Sequence, residues 1–130
     1  MYYRIGSALA ALVISAGSLW AHHSTTVQFD YSKKLTLTGT LTRVDWRNPH
    51  IEITLEAKGD RDKVETWVLE GWTPSAFLNA SVRKADFQNA IGQIVTVEGA
   101  RARDGSTFLL LEEIKFANQK SLRAPSAPGR

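Results

Sequence analysis

Three histidines, His22, His23 and His50, carry most of the chemistry that this 130-residue chain can offer. It has no cysteine, and its one sulfur is that of Met1, so disulfides, thiolate metal sites and thiol nucleophiles are all removed. Two of the histidines follow a stretch with the marks of a secretory signal. Arg4 gives a short positive start, residues 5–20 are uncharged and largely apolar, and Ala21 is the small residue that precedes a cut. The expectation is cleavage after Ala21, with Ala16 as the competing position, and a product in the periplasm or outside the cell. The apolar run falls short of the roughly 20 residues that span a bilayer, so no stable membrane span is expected after cleavage.

Cutting after Ala21 turns His22 into a chain end. A free N-terminal histidine offers its α-amine and its ring Nδ1 to one metal ion, and a remote imidazole would complete a three-nitrogen, T-shaped set. Such a nitrogen-rich tetragonal geometry suits Cu(II), whereas cysteine-held zinc is impossible here. His50 is the remote candidate, in Asn48-Pro49-His50. Asn48 is suited to orienting an imidazole, and Glu70 to serving as an oxygen ligand or as the acceptor behind a ligating ring. His23 offers a weaker chelate of its own, with the terminal amine and an ionised backbone amide. The plainer alternative is two exposed histidines at a chain end and a third opening a strand with its ring in water. For His22 to meet His50, residues 22–34 would fold back along residues 35–46. Each stretch is 12 residue steps long and so covers a similar distance at about 3.3 Å per residue.

Other chemistries find little support. There is no glycine-rich phosphate loop, no Gly-x-Ser-x-Gly elbow and no HExxH. Ser24 adjoins a histidine, but a nucleophile needs a base held by a third group, and none is identifiable. Glu52 and Glu56 share one strand face and read as solvated surface. Trp67 reads as core, while Trp46, beside Arg47, and Trp72 are candidates for a rim that could stack on a ligand.

The elements that must position these residues are mostly strands. Residues 27–31 alternate apolar and polar, as do residues 50–56. Residues 35–46 form a longer pattern whose apolar phase slips after Leu41, the signature of a bulge or bend near Gly39. Residues 64–69 form a third strand, and Thr73-Pro74 opens a helix to about Ser81. Residues 82–93 hold at most a second short helical turn. Residues 94–100 and 106–116 make a hairpin about Arg103-Asp104-Gly105. Three strands, a helix and two strands give the order of a five-stranded Greek-key barrel, the OB-fold, with an added N-terminal strand. A β-sandwich is the competitor. The chain divides into a signal peptide (1–21), the domain (22–118) and a disordered tail (119–130). The chain's formal net charge of +3 resides in its ends, because residues 22–118 hold 12 basic and 13 acidic residues. A nucleic-acid partner is therefore disfavoured, since phosphate binding needs Lys and Arg clustered on the folded surface.

Several motifs recur together: Ala21-His22-His23-Ser24, Leu37-Thr38-Gly39-Thr40, Trp46 with Asn48-Pro49-His50, Trp67-x-Leu69-Glu70, Val97-Glu98-Gly99 and Arg103-Asp104-Gly105. The chain thereby resembles a family of small exported bacterial proteins classed as a domain of unknown function. The resemblance implies a compact exported β domain with paired histidines after its signal peptide. It carries over His22, His23, Asn48, His50 and Glu70 as shared polar positions and implies no activity. The leading expectation is a copper-binding domain for delivery, storage or sensing. The rival is a metal-free module that holds a periplasmic protein or an envelope glycan against Trp46, Arg47 and Trp72. An oxidative enzyme using the same copper is less favoured, because so short a chain leaves little surface to shape a substrate.

Overall fold

The computed structural model describes residues 25–59 and 62–123. In chain order they form a helical turn α1 (Thr25–Gln28) and the strands β1 (Phe29–Asp45), β2 (Glu52–Lys58) and β3 (Val64–Glu70). A 3-10 turn (Pro74–Phe77), a helix α2 (Lys84–Asn89) and the strands β4 (Ile94–Ala102), β5 (Phe108–Lys115) and β6 (Ser121–Arg123) follow. The sheet order is β3-β2-β1-β4-β5-β6, and a further β3–β5 pairing joins β1 to β5 into a ring. Its seams are antiparallel except the parallel one between β3 and β5. The mainly β class and the OB-like strand order agree with the sequence pattern.

The length of β1 is what allows closure. Its first part pairs with β4 and its second with β2, and Gly39 and Thr40 pair on both sides. A Cβ at Gly39 would overlap the Glu56 carbonyl and the side chain of Ala57, so glycine permits this close crossing. The register against β2 slips between Leu41 and Arg43, where the apolar phase changes in sequence. Cα partners run round the ring from Lys34 through Ala100, Leu110, Glu70 and Glu52 to Asp45. The circuit rejoins β1 eleven residues beyond its start, the kind of stagger that closing a sheet requires.

Leu41, Ile53, Leu55, Trp67, Leu69 and Leu109 fill the interior. Phe77 from the 3-10 turn and Phe87 from α2 join that core. Their rings meet edge to face at 5.6 Å, and Phe87 meets Phe116 at 5.2 Å. The backbone N–H of Arg83 donates to the Asp86 carboxylate (2.8 Å), which fixes the start of α2. The same carboxylate accepts from Lys120 Nζ at 2.9 Å.

Three expectations need correcting. The helix expected over residues 73–81 is only a 3-10 turn, and the α-helix of this region lies at Lys84–Asn89. Phe77 is buried but its neighbour Leu78 is 72% exposed. Of this stretch only Phe77 and Ala80 pack on the core, a narrow apolar face, and packing of such a face is what sustains short helices. The N-terminal stretch does not fold back along residues 35–46. It continues β1 beside β4, with Phe29 and Asp30 opposite Ala102 and Arg101, and pairing resumes at Lys34 opposite Ala100. Asp30 accepts the backbone N–H (3.1 Å) and hydroxyl (2.6 Å) of Ser32, a local turn that takes up the residues out of register. Finally, the expected disordered tail begins instead with a strand, because Ser121–Arg123 pairs with β5. Residues 1–24 and 124–130, including the expected signal peptide, His22 and His23, lie outside the described residues. Among the described residues no helix is long and apolar enough to cross a membrane.

Candidate functional site

His50 enters the fold from the Arg47-Asn48-Pro49 turn, in which the Asn48–Pro49 peptide is cis. The β2–β3 ladder runs from Glu52 opposite Glu70 to Lys58 opposite Val64. Two backbone bonds extend its joining beyond Glu52. The Ile51 N–H donates to the Trp72 carbonyl (2.9 Å), and the Gly71 N–H donates to the Ile51 carbonyl (2.8 Å). A Cβ at Gly71 would sit 2.6 Å from Ile51 Cγ1, so this approach needs a glycine. Ile51 and Ile53 are buried inward, and the alternation of a strand turns His50 and Glu52 to the outer face.

There His50 Nδ1 lies 2.9 Å from Glu70 Oε1, with the two side chains 41% and 23% exposed. A carboxylate at that distance fixes the ring's orientation. It also favours the tautomer with its proton on Nδ1, which leaves the Nε2 lone pair for a ligand. The sequence signal for this contact was weak, since 20 positions separate the two residues, but both lie at the same end of paired strands.

Glu52 was read as solvated surface, and the structure makes more of it. It is half-buried and directly opposite Glu70 on one side and Asp45 on the other. Asp45 is paired with Arg43 at 2.7 Å. The rim beside His50 therefore carries a row of three carboxylates, which favours a cation over an anion. Only cross-strand register reveals that row, and spacing along one strand does not.

The other predicted residues fare differently. Asn48 is exposed and makes no hydrogen bond among the described residues, so the contact that orients His50 is made by Glu70. Trp46 is half-buried, with its ring 4.7 Å from Phe77 and 5.4 Å from Phe87. Trp72 meets Phe77 at 5.6 Å. Both indoles are thus occupied by aromatic packing at the rim. Trp67 is fully buried, as its sequence context suggested.

Family comparison rests on most of the chain. The model of a family of unknown function, DUF6152, matches residues 10–110. The chain belongs to that family. No curated protein matches it. Among solved structures it is similar to the mitochondrial single-stranded DNA-binding protein Rim1 of S. cerevisiae. The identity is 17% and the TM-score 0.43, covering 65% of this chain and 94% of that one. The His50–Glu70 pair, Asn48 and Trp46 all fall within the part matched to DUF6152, as do His22 and His23.

Among the described residues no group of three or more histidine, aspartate or glutamate side chains could hold a metal ion. What they offer is one oriented imidazole beside a negative rim. A complete metal site would need further donors, and His22 and His23 are the histidines that remain.

Proposed function

We propose that this member of DUF6152 is an exported domain that binds Cu(II) for delivery, storage or sensing, in the periplasm or outside the cell. The α-amine and ring of His22 form the chelate, His50 supplies a third nitrogen through Nε2, and His23 assists or competes. Glu70 orients His50. Asn48 and Trp46 border the site. The observation that supports this reading best is the 2.9 Å contact between His50 Nδ1 and Glu70. Carboxylate-backed imidazoles are the common form of a metal-ligating histidine. The donor set of amine and imidazole nitrogen, without sulfur, fits Cu(II) better than soft Cu(I).

The copper ion, when bound, would supply a charged centre that a partner protein could take up or sense. The chain's own residues present the donors, hold the His50 ring still and keep anions away through the carboxylate row. Native mass spectrometry of the exported protein reads its true N-terminus and its bound metal together. The expected result is a chain that begins at His22 and takes one Cu(II). Addition of a single residue before His22 should weaken binding by about 100-fold, in line with losing one arm of a chelate. Equal Cu(II) affinity for the processed and the extended chains would overturn the reading.

A further inference from the structure

β4 runs along one side of β5, pairing from Arg101 opposite Leu109 to Thr96 opposite Lys115. The other partners of β5 therefore lie along its second side. There β3 takes the first part, ending with Glu70 opposite Leu110. β6 takes the last part, with Arg123, Leu122 and Ser121 opposite Glu113, Ile114 and Lys115. The two strands share one edge end to end, since β3 is parallel to β5 and β6 antiparallel to it. Arg123 and Glu70 thus stand three positions apart along β5, or about 10 Å. The wall beside Ile114 is completed by the three residues of β6 alone.

Each of these three residues has a seat of distinct chemistry. Ile114 is fully buried, and strand alternation turns Glu113 and Lys115 to the outer face. Leu122, opposite Ile114, accordingly packs on the main core. On the outer face Glu113 is directly opposite Glu98 across the β4–β5 seam, a like-charge pair that favours a cation. Arg123 supplies it, paired with Glu113 and 4.0 Å from Glu98. The third seat is mismatched. Lys115 is exposed and makes no ion pair among the described residues, and the residue opposite it is the uncharged Ser121.

β6 is also lightly held. The Arg123 side chain is 63% exposed, and ion pairs open to solvent contribute little. Before the strand, the Phe116 N–H donates to the Lys120 carbonyl at 2.9 Å, and Lys120 Nζ reaches Asp86 at 2.9 Å. The same turn holds Gln119 at a φ of 68°, a left-handed conformation that a β-carbon disfavours and that opening would relax.

We propose that β6 is a displaceable strap, and that the β5 edge beneath it docks an extended segment of a partner protein reading acidic, apolar, basic. Such a segment adds to the sheet as a strand. Its apolar side chain takes the seat of Leu122, its cation lies between Glu98 and Glu113, and its carboxylate gives Lys115 the partner that Ser121 does not. That last contact is what lets it compete with a strand whose attachment to the chain gives it a high effective concentration. Once docked, the segment lies in line with β3 and ends near Glu70. This docking needs no metal and stands apart from the copper reading.

The test uses the full chain and two capped, fluorescently labelled peptides, Gln-Lys-Glu-Leu-Arg and Gln-Lys-Ser-Leu-Arg, read by anisotropy. The acidic peptide should bind about threefold more tightly, the effect of one opposite-charge pair across strands. Arg123→Ala loosens the strap and leaves Glu98 and Glu113 in place, so it should tighten binding about fivefold. Ser121→Glu gives the strap its missing contact and should weaken binding about threefold. In the complex the Leu122 amide should lose protection from hydrogen exchange while the Ile114 amide keeps it. Equal binding to the parent and both variants, or a Leu122 amide that stays protected, overturns the displacement, as does absence of binding to the parent and to Arg123→Ala alike. Equal binding of the two peptides would point to exchange of β6 between copies of this chain and overturn the acidic partner.

Discussion

Glu52 and Glu70 are Cα partners across the β2–β3 seam, two carboxylates directly opposite each other on one face. Like charges so placed repel. Glu70 is matched by His50, whereas the Glu52 carboxylate makes no ion pair among the described residues and faces Asp45 on its other side. The arrangement costs stability in the absence of a cation and is relieved by one. Glu52→Gln should therefore stabilise the metal-free protein by about 0.5 kcal/mol, read as a higher urea midpoint. The same substitution should weaken Cu(II) binding two- to threefold, about the effect of losing one partly screened charge. A variant that is both less stable and unchanged in affinity would remove the row from the site.

On the copper reading proposed above, Glu70 would act through His50, whose Nδ1 lies 2.9 Å from its carboxylate. Glu70→Ala frees the ring to rotate and to exchange tautomers, and loss of the carboxylate behind a ligating imidazole weakens metal binding about 10- to 100-fold. Glu70→Gln keeps an oxygen acceptor for the Nδ1 proton and should lose less. That graded rescue separates a positioning role from a merely structural one, since unfolding midpoints for the two variants should lie close together. Because both an amine and imidazoles must give up protons to bind, Cu(II) affinity should fall from pH 8 to pH 5 in the parent and in both variants.

Trp46 separates the rival readings. Its ring is engaged with Phe77 and Phe87 at 4.7 and 5.4 Å, and replacing a large core aromatic by alanine costs about 3 kcal/mol or more when burial is complete. For this half-buried indole Trp46→Ala should cost about 2 kcal/mol, visible in thermal unfolding. The stable fraction should still bind Cu(II) like the parent. Loss of a bound protein or glycan from a variant that remains as stable as the parent would favour the metal-free module instead.

The strands were legible because alternation leaves a direct trace. Leu37 and Leu41, Ile53 and Leu55, and Val95 and Val97 each repeat at even spacing and are buried. The phase slip after Leu41 appeared in sequence as clearly as in the register. The N-terminal path was not legible, because period two tells that Phe29 faces something and not which strand lies beside it. Beside β4, Phe29 finds Ala100 and Ala102, residues small enough to leave room for its ring. The end of the chain misled for a related reason. The segment at 119–123 is polar in composition, but Leu122 packs against the core and Arg123 pairs with Glu113, tertiary contacts that composition alone does not show. Of the site, Glu70 reads in sequence as an oxygen ligand or as the acceptor behind an imidazole, and in the structure its Oε1 lies 2.9 Å from His50 Nδ1. Glu52 was passed over because its neighbours in space, Asp45 and Glu70, come from two other strands.

Asp86 offers a test of how the segment between β3 and β4 is held on the ring. Its carboxyl lies below the usual range, first because Lys120 Nζ donates to it and then because the Arg83 N–H does. One charge thus ties the start of α2 to the turn before β6. A group whose folded pKa lies below its unfolded value contributes stability that is present above the unfolded value, near pH 4 for aspartate. That contribution is lost as the pH falls through the folded value. Asp86→Asn should accordingly cost about 1 kcal/mol at pH 7, the net worth of an ordinary hydrogen bond, since solvent screens the exposed Lys120 partner. The gap between parent and variant should stay constant from pH 8 to pH 5 and close below pH 4. Asp30 and Asp104 are also shifted downward and titrate alike in both proteins, so the difference isolates Asp86. Urea unfolding followed by tryptophan fluorescence at pH 7 and pH 3 measures it, and a gap that persists undiminished at pH 3 would show that the carboxylate's charge is not what fastens the helix.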